Sequence, residues 1–241
     1  MDDSLNQVKE LIENSNNIYA ITGAGISTNA GIIDFRGPKG IYTTKIYDPD
    51  KTFDIDYFLI NPRHFYDFIK DFIVLIDKTK PTFAHKFLFK LEKIGKLKGI
   101  ITQNIDLLHE KAGNKNIIKL HGSIDEWFCI ECKKNYSLLE VKKKLFENDI
   151  PKCDLCDGVI RPNIVFYKES VKDYDLALKW VLNADLLLVI GTSLKVYPAS
   201  YLPILTKGKI VIVNKGDISL SHLNKYIHIN DDIDQFFFKL K

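Results

Sequence analysis

The chain has 241 residues, 46% of them hydrophobic and 27% charged, and a formal net charge of +3. That size suits one large core plus a small appended module. The modest charge, spread along the chain rather than gathered in a tract, excludes an obvious nucleic-acid footprint, and no apolar run reaches the roughly twenty residues needed to cross a bilayer.

From the amino end, Leu5, Val8, Leu11 and Ile12 have helical spacing ahead of an apolar strand at 18–22. The opening Met1-Asp2-Asp3-Ser4 has neither the basic nor the apolar part of a secretion signal, so a cytoplasmic protein is expected. The strand runs into Gly23-Ala24-Gly25-Ile26-Ser27, and 28–31 suits the first turn of a helix. Glycines there would let the backbone approach a pyrophosphate, with helix N–H groups facing it. The regular Gly-x-Gly-x-x-Gly spacing fails, however, because position 28 is Thr28, and a plain tight turn competes with the phosphate reading. No acidic residue closes a second strand about twenty residues on, and Asp34 comes too early, which disfavours an ordinary NAD dehydrogenase.

Residues 35–80 form an aromatic-rich, irregular stretch with a helix expected over 62–76, read as a cap inserted into a sheet domain. Two buried strands are expected next, one ending near Gln103 and one near His121. Thr102-Gln103-Asn104-Ile105-Asp106 and Leu120-His121-Gly122-Ser123 therefore place two amides, a carboxylate and an imidazole at strand carboxyl ends, where open α/β sheets carry their chemistry. The plainer alternative is that Asn104 and Asp106 cap a helix beginning near Leu107.

The four cysteines form two C-x₂-C pairs, Cys129/Cys132 and Cys153/Cys156, separated by twenty residues. This is the spacing of a tetrahedral zinc site, closed to water and hence structural. Two disulfides or a redox pair are the alternatives, and disulfides need an oxidising compartment. Between the pairs lies an expected helix, 138–146, whose Lys142-Lys143-Lys144 run reads as a solvated face. Short apolar runs at 186–190 and 210–213 suit a parallel sheet buried on both faces. Thr192 and Ser193 follow the first of them and would equally serve as helix N-caps. His64, His85, His222 and His228 read as packing or surface residues, and His109 as structural.

With these motifs in hand, the chain resembles the sirtuins, the silent-information-regulator family of NAD-dependent protein-lysine deacylases, in their bacterial form. The resemblance runs nearly end to end, through Gly23-Ala24-Gly25-Ile26-Ser27, Gly31-Ile32-Ile33-Asp34-Phe35-Arg36-Gly37, the Thr102–Asp106 and Leu120–Ser123 segments, the cysteines, Arg161-Pro162-Asn163-Ile164-Val165-Phe166, Gly191-Thr192-Ser193 and Val196-Tyr197-Pro198-Ala199. It implies an α/β fold with a Rossmann-like, doubly wound parallel sheet: a single catalytic domain whose NAD-binding part is 1–34, 81–121 and 160–241, with an inserted helical cap and cofactor loop at 35–80 and a zinc-binding module at 122–159.

The implied reaction spends the nicotinamide–ribose bond of NAD. The acyl oxygen of an acetyl-lysine protein or peptide attacks ribose C1′, giving an alkylimidate, then O-acetyl-ADP-ribose and free lysine. His121 is implied as general base, with Asn104 holding ribose or an ordered water. Asp106 and the Ile105 backbone would hold the nicotinamide carboxamide, Phe35 its open face, and Arg36 a phosphate. For the rest of NAD, the matched positions are Ala24, Gly25 and Thr28 near the pyrophosphate, and Gln103 at the nicotinamide-side ribose. Gly191, Thr192 and Ser193 follow at the sheet edge, with Asn214 and Lys215 at the adenosine ribose. The peptide would add a strand between 164–169 and 196–199, with Val165, Phe166 and Val196 as substrate contacts and Val165 and Phe166 walling the acyl-lysine tunnel.

Two departures stand out. Lys168 replaces a usual glycine, so either that loop needs no positive φ or the groove differs, and Ile33 replaces a usual proline. The Tyr-x-x-Arg pair of succinyl- and malonyl-removing relatives is also missing, since Ile69 stands three residues after Tyr66. Neutral acyl groups are therefore expected, with Phe65, Phe68 and Phe72 as lining and Lys70 as the first cation to suspect otherwise. The rival activities are mono-ADP-ribosyl transfer, removal of longer neutral acyl chains, and a zinc-ribbon binding module with an inactive nucleotide site.

Overall fold

The computed structural model describes residues 2–34, 46–219, 223 and 225–241. The expectations for Phe35, Arg36 and His222 lie outside the described residues. The larger sheet has six parallel strands in the order β3 (Ile117–Lys119), β2 (Leu97–Thr102), β1 (Ile18–Thr22), β7 (Leu186–Ile190), β8 (Lys209–Val213) and β9 (Ile227–Ile229).

Every residue of β7 is buried, because helices cover both faces of the sheet. Ile18, Ala20, Leu186, Leu188 and Val211 face helices Asp2–Asn14, Phe83–Lys93 and Ile233–Lys239. Their alternates Ile21, Leu187, Val189 and Ile212 face helix Tyr174–Leu182. A strand buried on both faces cannot alternate apolar with polar, which is why these strands were legible as continuous apolar runs. No helix among the described residues is long and apolar enough to cross a membrane.

A second sheet is antiparallel, in the order β5 (Asn135–Ser137), β4 (Gly122–Cys129) and β6 (Ile160–Ile164). Its third strand lies within 160–241, the stretch read from the sequence as part of the NAD-binding domain. Arg161 and Pro162 made that segment a poor match to a buried strand, yet it pairs with the cysteine-bearing β4. The cap and the cysteine module, distant in sequence, share one core. Phe58, Phe65, Tyr66 and Ile69 of the cap pack with Trp127, Val141, Leu145 and Ile160. The lysine run is likewise more than a solvated face: Lys142 reaches Asp77 of the cap helix at 2.6 Å and Lys144 pairs with Asp154.

From β1 the chain builds outward on one side to β2 and β3, then returns to build β7, β8 and β9 on the other. The order reverses between β1 and β7, and the crevice at the carboxyl ends of such a pair is where doubly wound sheets bind nucleotides.

Candidate active site

Two glycine turns meet at that crevice. Gly25 N–H donates to the Gly191 carbonyl at 2.8 Å, and Gly23 N–H to the Ile190 carbonyl at 3.0 Å. A Cβ on Gly191, whose φ is 64°, would stand 2.3 Å from Ile26 N, and one on Gly25 only 2.8 Å from Gly191 Cα. The backbones touch because neither residue has a side chain. Beyond β1 the chain winds as a 3₁₀ helix, Ala24–Ala30, which Gly31 ends at φ 90°. This corrects the expectation of a helix starting at 28–31; the Thr28 hydroxyl bonds back to the Gly25 carbonyl at 3.0 Å, inside the turn.

Residues after β2 close over this turn. Gln103 donates from its backbone to Thr22 O at 2.9 Å and from its side chain to Thr192 Oγ1 at 3.2 Å. Asn104 Nδ2 reaches the Gly23 carbonyl at 3.2 Å and Ser27 Oγ at 3.3 Å. Buried Asp106 accepts Ser27 Oγ–H at 2.6 Å on one oxygen and Leu108 N–H at 2.9 Å on the other. Burial raises its pKa, and these two donors oppose the rise. The capping alternative therefore holds for Asp106 together with, not instead of, its place in the site. For Thr192 it does not hold: its hydroxyl bonds Leu194 N–H and Gln103, and no helix begins there.

His121 follows β3 on the same side. Its Nδ1 lies 2.8 Å from the Gln103 carbonyl, which only accepts, so Nδ1 carries the proton and Nε2 keeps its lone pair. Burial lowers the imidazole pKa, opposed by that carbonyl. His121, Asn104, Asp106, Gln103, Ile105, Ala24 and Val165 all line one cavity of about 170 Å³, together with Ile32 and Ile33 and an apolar wall from the cap.

Several expected residues stand elsewhere. Thr28, Ser193, Asn214 and Lys215 do not line this cavity; Asn214 is buried at the end of β8, in the crevice's second half, its N–H on Ile229 O at 3.1 Å. Val196 is half-buried and also outside it. Phe166 is 2% exposed, packed on Phe58, Phe65 and the Arg161 guanidinium, and does not wall the cavity. Neighbours on an extended segment point to opposite sides, so Val165 facing the cavity turns Phe166 into the core. Phe65 follows it there, while Phe68 and Phe72 line the cavity as expected. Lys70 pairs with Asp149 and does not line it.

The loop after Val165 is tightly held. Arg161, 6% exposed, grips Glu169 through two bonds of 2.8 and 2.9 Å, and Val165 N–H donates to His121 O at 2.9 Å. Lys168 does adopt positive φ, 75°, and its ammonium spans Asp54 at 2.8 Å and Asp56 at 2.6 Å. Glycine would relieve the backbone strain while alanine would keep it, and both lose the ion pairs. The Tm of Lys168→Gly should therefore exceed that of Lys168→Ala by about 2–4 °C in thermal unfolding.

Ser27, one residue of the glycine motif in sequence, ties the glycine turn to both Asn104 and Asp106. Below it lies a network the sequence did not disclose. His109 Nε2 meets Thr22 Oγ1 at 2.9 Å, Thr22 bonds Thr102 at 2.9 Å, and Thr102 accepts Asn104 N–H at 3.1 Å. His85, held by Thr82 at 2.8 Å, lies against His109 with ring centres 4.7 Å apart. Burial lowers the His85 pKa to about 3 and holds His109 well below its usual range. The unfolded chain takes up protons at these histidines below about pH 6.5 and the folded chain does not, so stability should be full above that pH and fall on acidification. A Tm scan from pH 7 to 5 should show this fall, and a flat profile would contradict it.

The four cysteines form no disulfide, and their Sγ atoms lie within 4.8 Å of one another, with Cys129–Cys156 and Cys132–Cys153 at 3.5 Å. Zn–S bonds of about 2.3 Å give tetrahedral edges of about 3.8 Å, so the cluster fits one zinc. The Tyr136 hydroxyl donates to Cys153 Sγ at 3.0 Å, as outer-shell donors do at metal thiolates.

Residues 23–198 match the Sir2 family. A protein of Thermotoga maritima named NAD-dependent protein deacetylase is 44% identical over 232 residues, covering 94% of this chain and 93% of its own. One of the same name from Clostridium tetani is 41% identical over 237 residues, covering 96% and 94%. Among solved structures, Sir2 with a p53 peptide and NAD⁺ superposes with a TM-score of 0.89 at 41% identity, covering 98% of this chain and 96% of that one. A Sir2 variant with deacetylated p53 peptide and 3′-O-acetyl-ADP-ribose gives 0.91 at 42% identity, with the same coverage.

Proposed function

The chain belongs to the Sir2 family, and from that premise we propose how it works as an NAD-dependent protein-lysine deacetylase. NAD is the cosubstrate and supplies a ribose carbon that becomes electrophilic as nicotinamide leaves; one structural zinc completes the protein. The observation that carries the assignment of roles is that His121, Asn104, Asp106 and Ala24, from three segments of the chain, line a single cavity beside the nucleotide crevice.

His121 is the general base. Its Nδ1–H is fixed on the Gln103 carbonyl, so Nε2 is the atom that takes a proton from a ribose hydroxyl. A lowered pKa keeps that lone pair available below the usual imidazole range. Asp106 and the Ile105 backbone receive the nicotinamide carboxamide; each carboxylate oxygen already has one donor and keeps acceptor capacity for an amide N–H₂. Asn104, braced on Gly23 and Ser27, holds ribose or an ordered water. The touching glycine turns, with Ala24, Gly25, Thr28, Gly191 and Thr192, bring backbone to the pyrophosphate, and Gln103 serves the nearer ribose. Ser193, Asn214 and Lys215 serve the adenosine end.

Acetylated peptides are the substrates, as the peptide-bound Sir2 neighbours support. The peptide adds as a strand along 164–169 opposite Val196, with Val165 beside the acyl-lysine. In this reading nicotinamide release requires the acetyl group. Chromatography of NAD incubations should show nicotinamide formed one-for-one with deacetylated peptide, and only background with the unacetylated peptide. Equal release with both would refute the coupling.

A further inference from the structure

One face of helix Arg63–Lys78 forms the far wall of the cavity. Phe68, Phe72 and Leu75, at i, i+4 and i+7, line the space beyond His121, as helical spacing requires of a single face. Asp71, at i+3, lines it as well, an exposed carboxylate at the solvent edge of an otherwise apolar stripe. It is held in place: Tyr47, also on the lining and edge-on to Phe68 with ring centres 5.3 Å apart, donates its hydroxyl to Asp71 Oδ2 at 2.5 Å. Among the described lining residues there is no lysine or arginine to neutralise it.

In the deacetylase reading, atoms of an acyl chain beyond its carbonyl carbon would extend toward this apolar end of the cavity. We propose that Asp71 ranks acyl-lysines by the charge of the acyl tail, turning away chains that end in a carboxylate and taking those that end in a neutral group or an ammonium, with Tyr47 holding the aspartate in position. A carboxylate tail would lose its water among Phe68, Phe72 and Leu75 and meet a like charge there. An ammonium tail would meet its counter-charge at that solvent edge, where water screens the attraction. The inference rests on the deacetylase reading and goes past the lack of a Tyr-x-x-Arg pair: rejection of succinyl groups comes from a residue that is present, beyond a cation that is missing.

The test uses three peptides that differ only in the acyl group on one lysine: succinyl, butyryl and 4-aminobutyryl, similar in reach and carrying negative, zero and positive tails. For each, kcat/KM is measured with NAD, and Kd without it by fluorescence anisotropy. Wild-type protein should favour 4-aminobutyryl over succinyl by about tenfold, with butyryl between. Asp71→Asn, which keeps size and removes charge, should narrow that ratio several-fold, acting on the two charged tails far more than on butyryl; Asp71→Lys should invert it. Tyr47→Phe keeps the charge but releases the carboxylate, and should narrow the ratio less than Asp71→Asn does while keeping the order. An unchanged ratio in Asp71→Asn, in both kcat/KM and Kd, would overturn the assignment. Failure of the deacetylase reading is distinct: no peptide, acetyl-lysine included, would lose its acyl group, while the Kd series would still show whether Asp71 sorts the tails.

Discussion

His121→Ala lowers acyl removal by about 10²–10⁴-fold, the usual loss on deleting a general base, while NAD still binds. The geometry separates the two effects. Nδ1 is committed to the Gln103 carbonyl, so the imidazole offers the cavity one atom, Nε2, whose task is proton transfer. The groups that hold NAD in this account bond to one another without His121: Asn104 to Gly23 and Ser27, Asp106 to Ser27 and Leu108, Gly25 to Gly191. Calorimetry should find NAD affinity within a few-fold of wild type, and single-turnover deacetylation the loss. Near-normal turnover would remove His121 from its role.

The second large effect is on stability. Cys129→Ser or Cys153→Ser opens the four-thiol cluster, and the zinc's binding free energy, which is folding free energy, goes with it. The damage spreads, because the cysteine module has no separate core: Trp127, Val141 and Leu145 pack against Phe58, Phe65 and Ile69 of the cap, and Phe65 packs on Phe166 next to Val165. Loss of several kcal/mol should lower Tm by about 10 °C or more in a chain of this size. Activity should fall through the folded fraction, so that cooling restores part of it. Metal analysis of the wild type should give one zinc per chain, and disulfides without zinc would overturn this reading.

How far the sequence disclosed the molecule follows from the range of each interaction. The parallel strands were legible because burial on both faces writes itself as an unbroken apolar run, and the zinc ligands because spacing alone brings two C-x₂-C pairs together. Asn104, Asp106 and His121 were legible as polar residues at strand ends. β6 was not, since its partner β4 lies some thirty residues away and its Arg161 is buried only by virtue of Glu169 and Phe166. Phe166 itself was misplaced because an apolar residue beside the cavity wall looks the same in sequence whichever way it points. Lys168 could be seen to replace a glycine; that it keeps the glycine's positive φ and holds it with two aspartates of the cap only the fold shows. The Thr22, Thr102, His109 and His85 network consists of residue types that occur anywhere, and proximity across β1, β2 and two helices makes it a unit.

The central claim is that acetyl leaves lysine by transfer to the ADP-ribose half of NAD. Mass spectrometry of the whole reaction with NAD and an acetyl-lysine peptide tests it directly. Three products are expected in equal amounts: deacetylated peptide, nicotinamide and O-acetyl-ADP-ribose. ADP-ribose attached to protein or peptide with the acetyl group still in place, or free acetate with NAD intact, would contradict it.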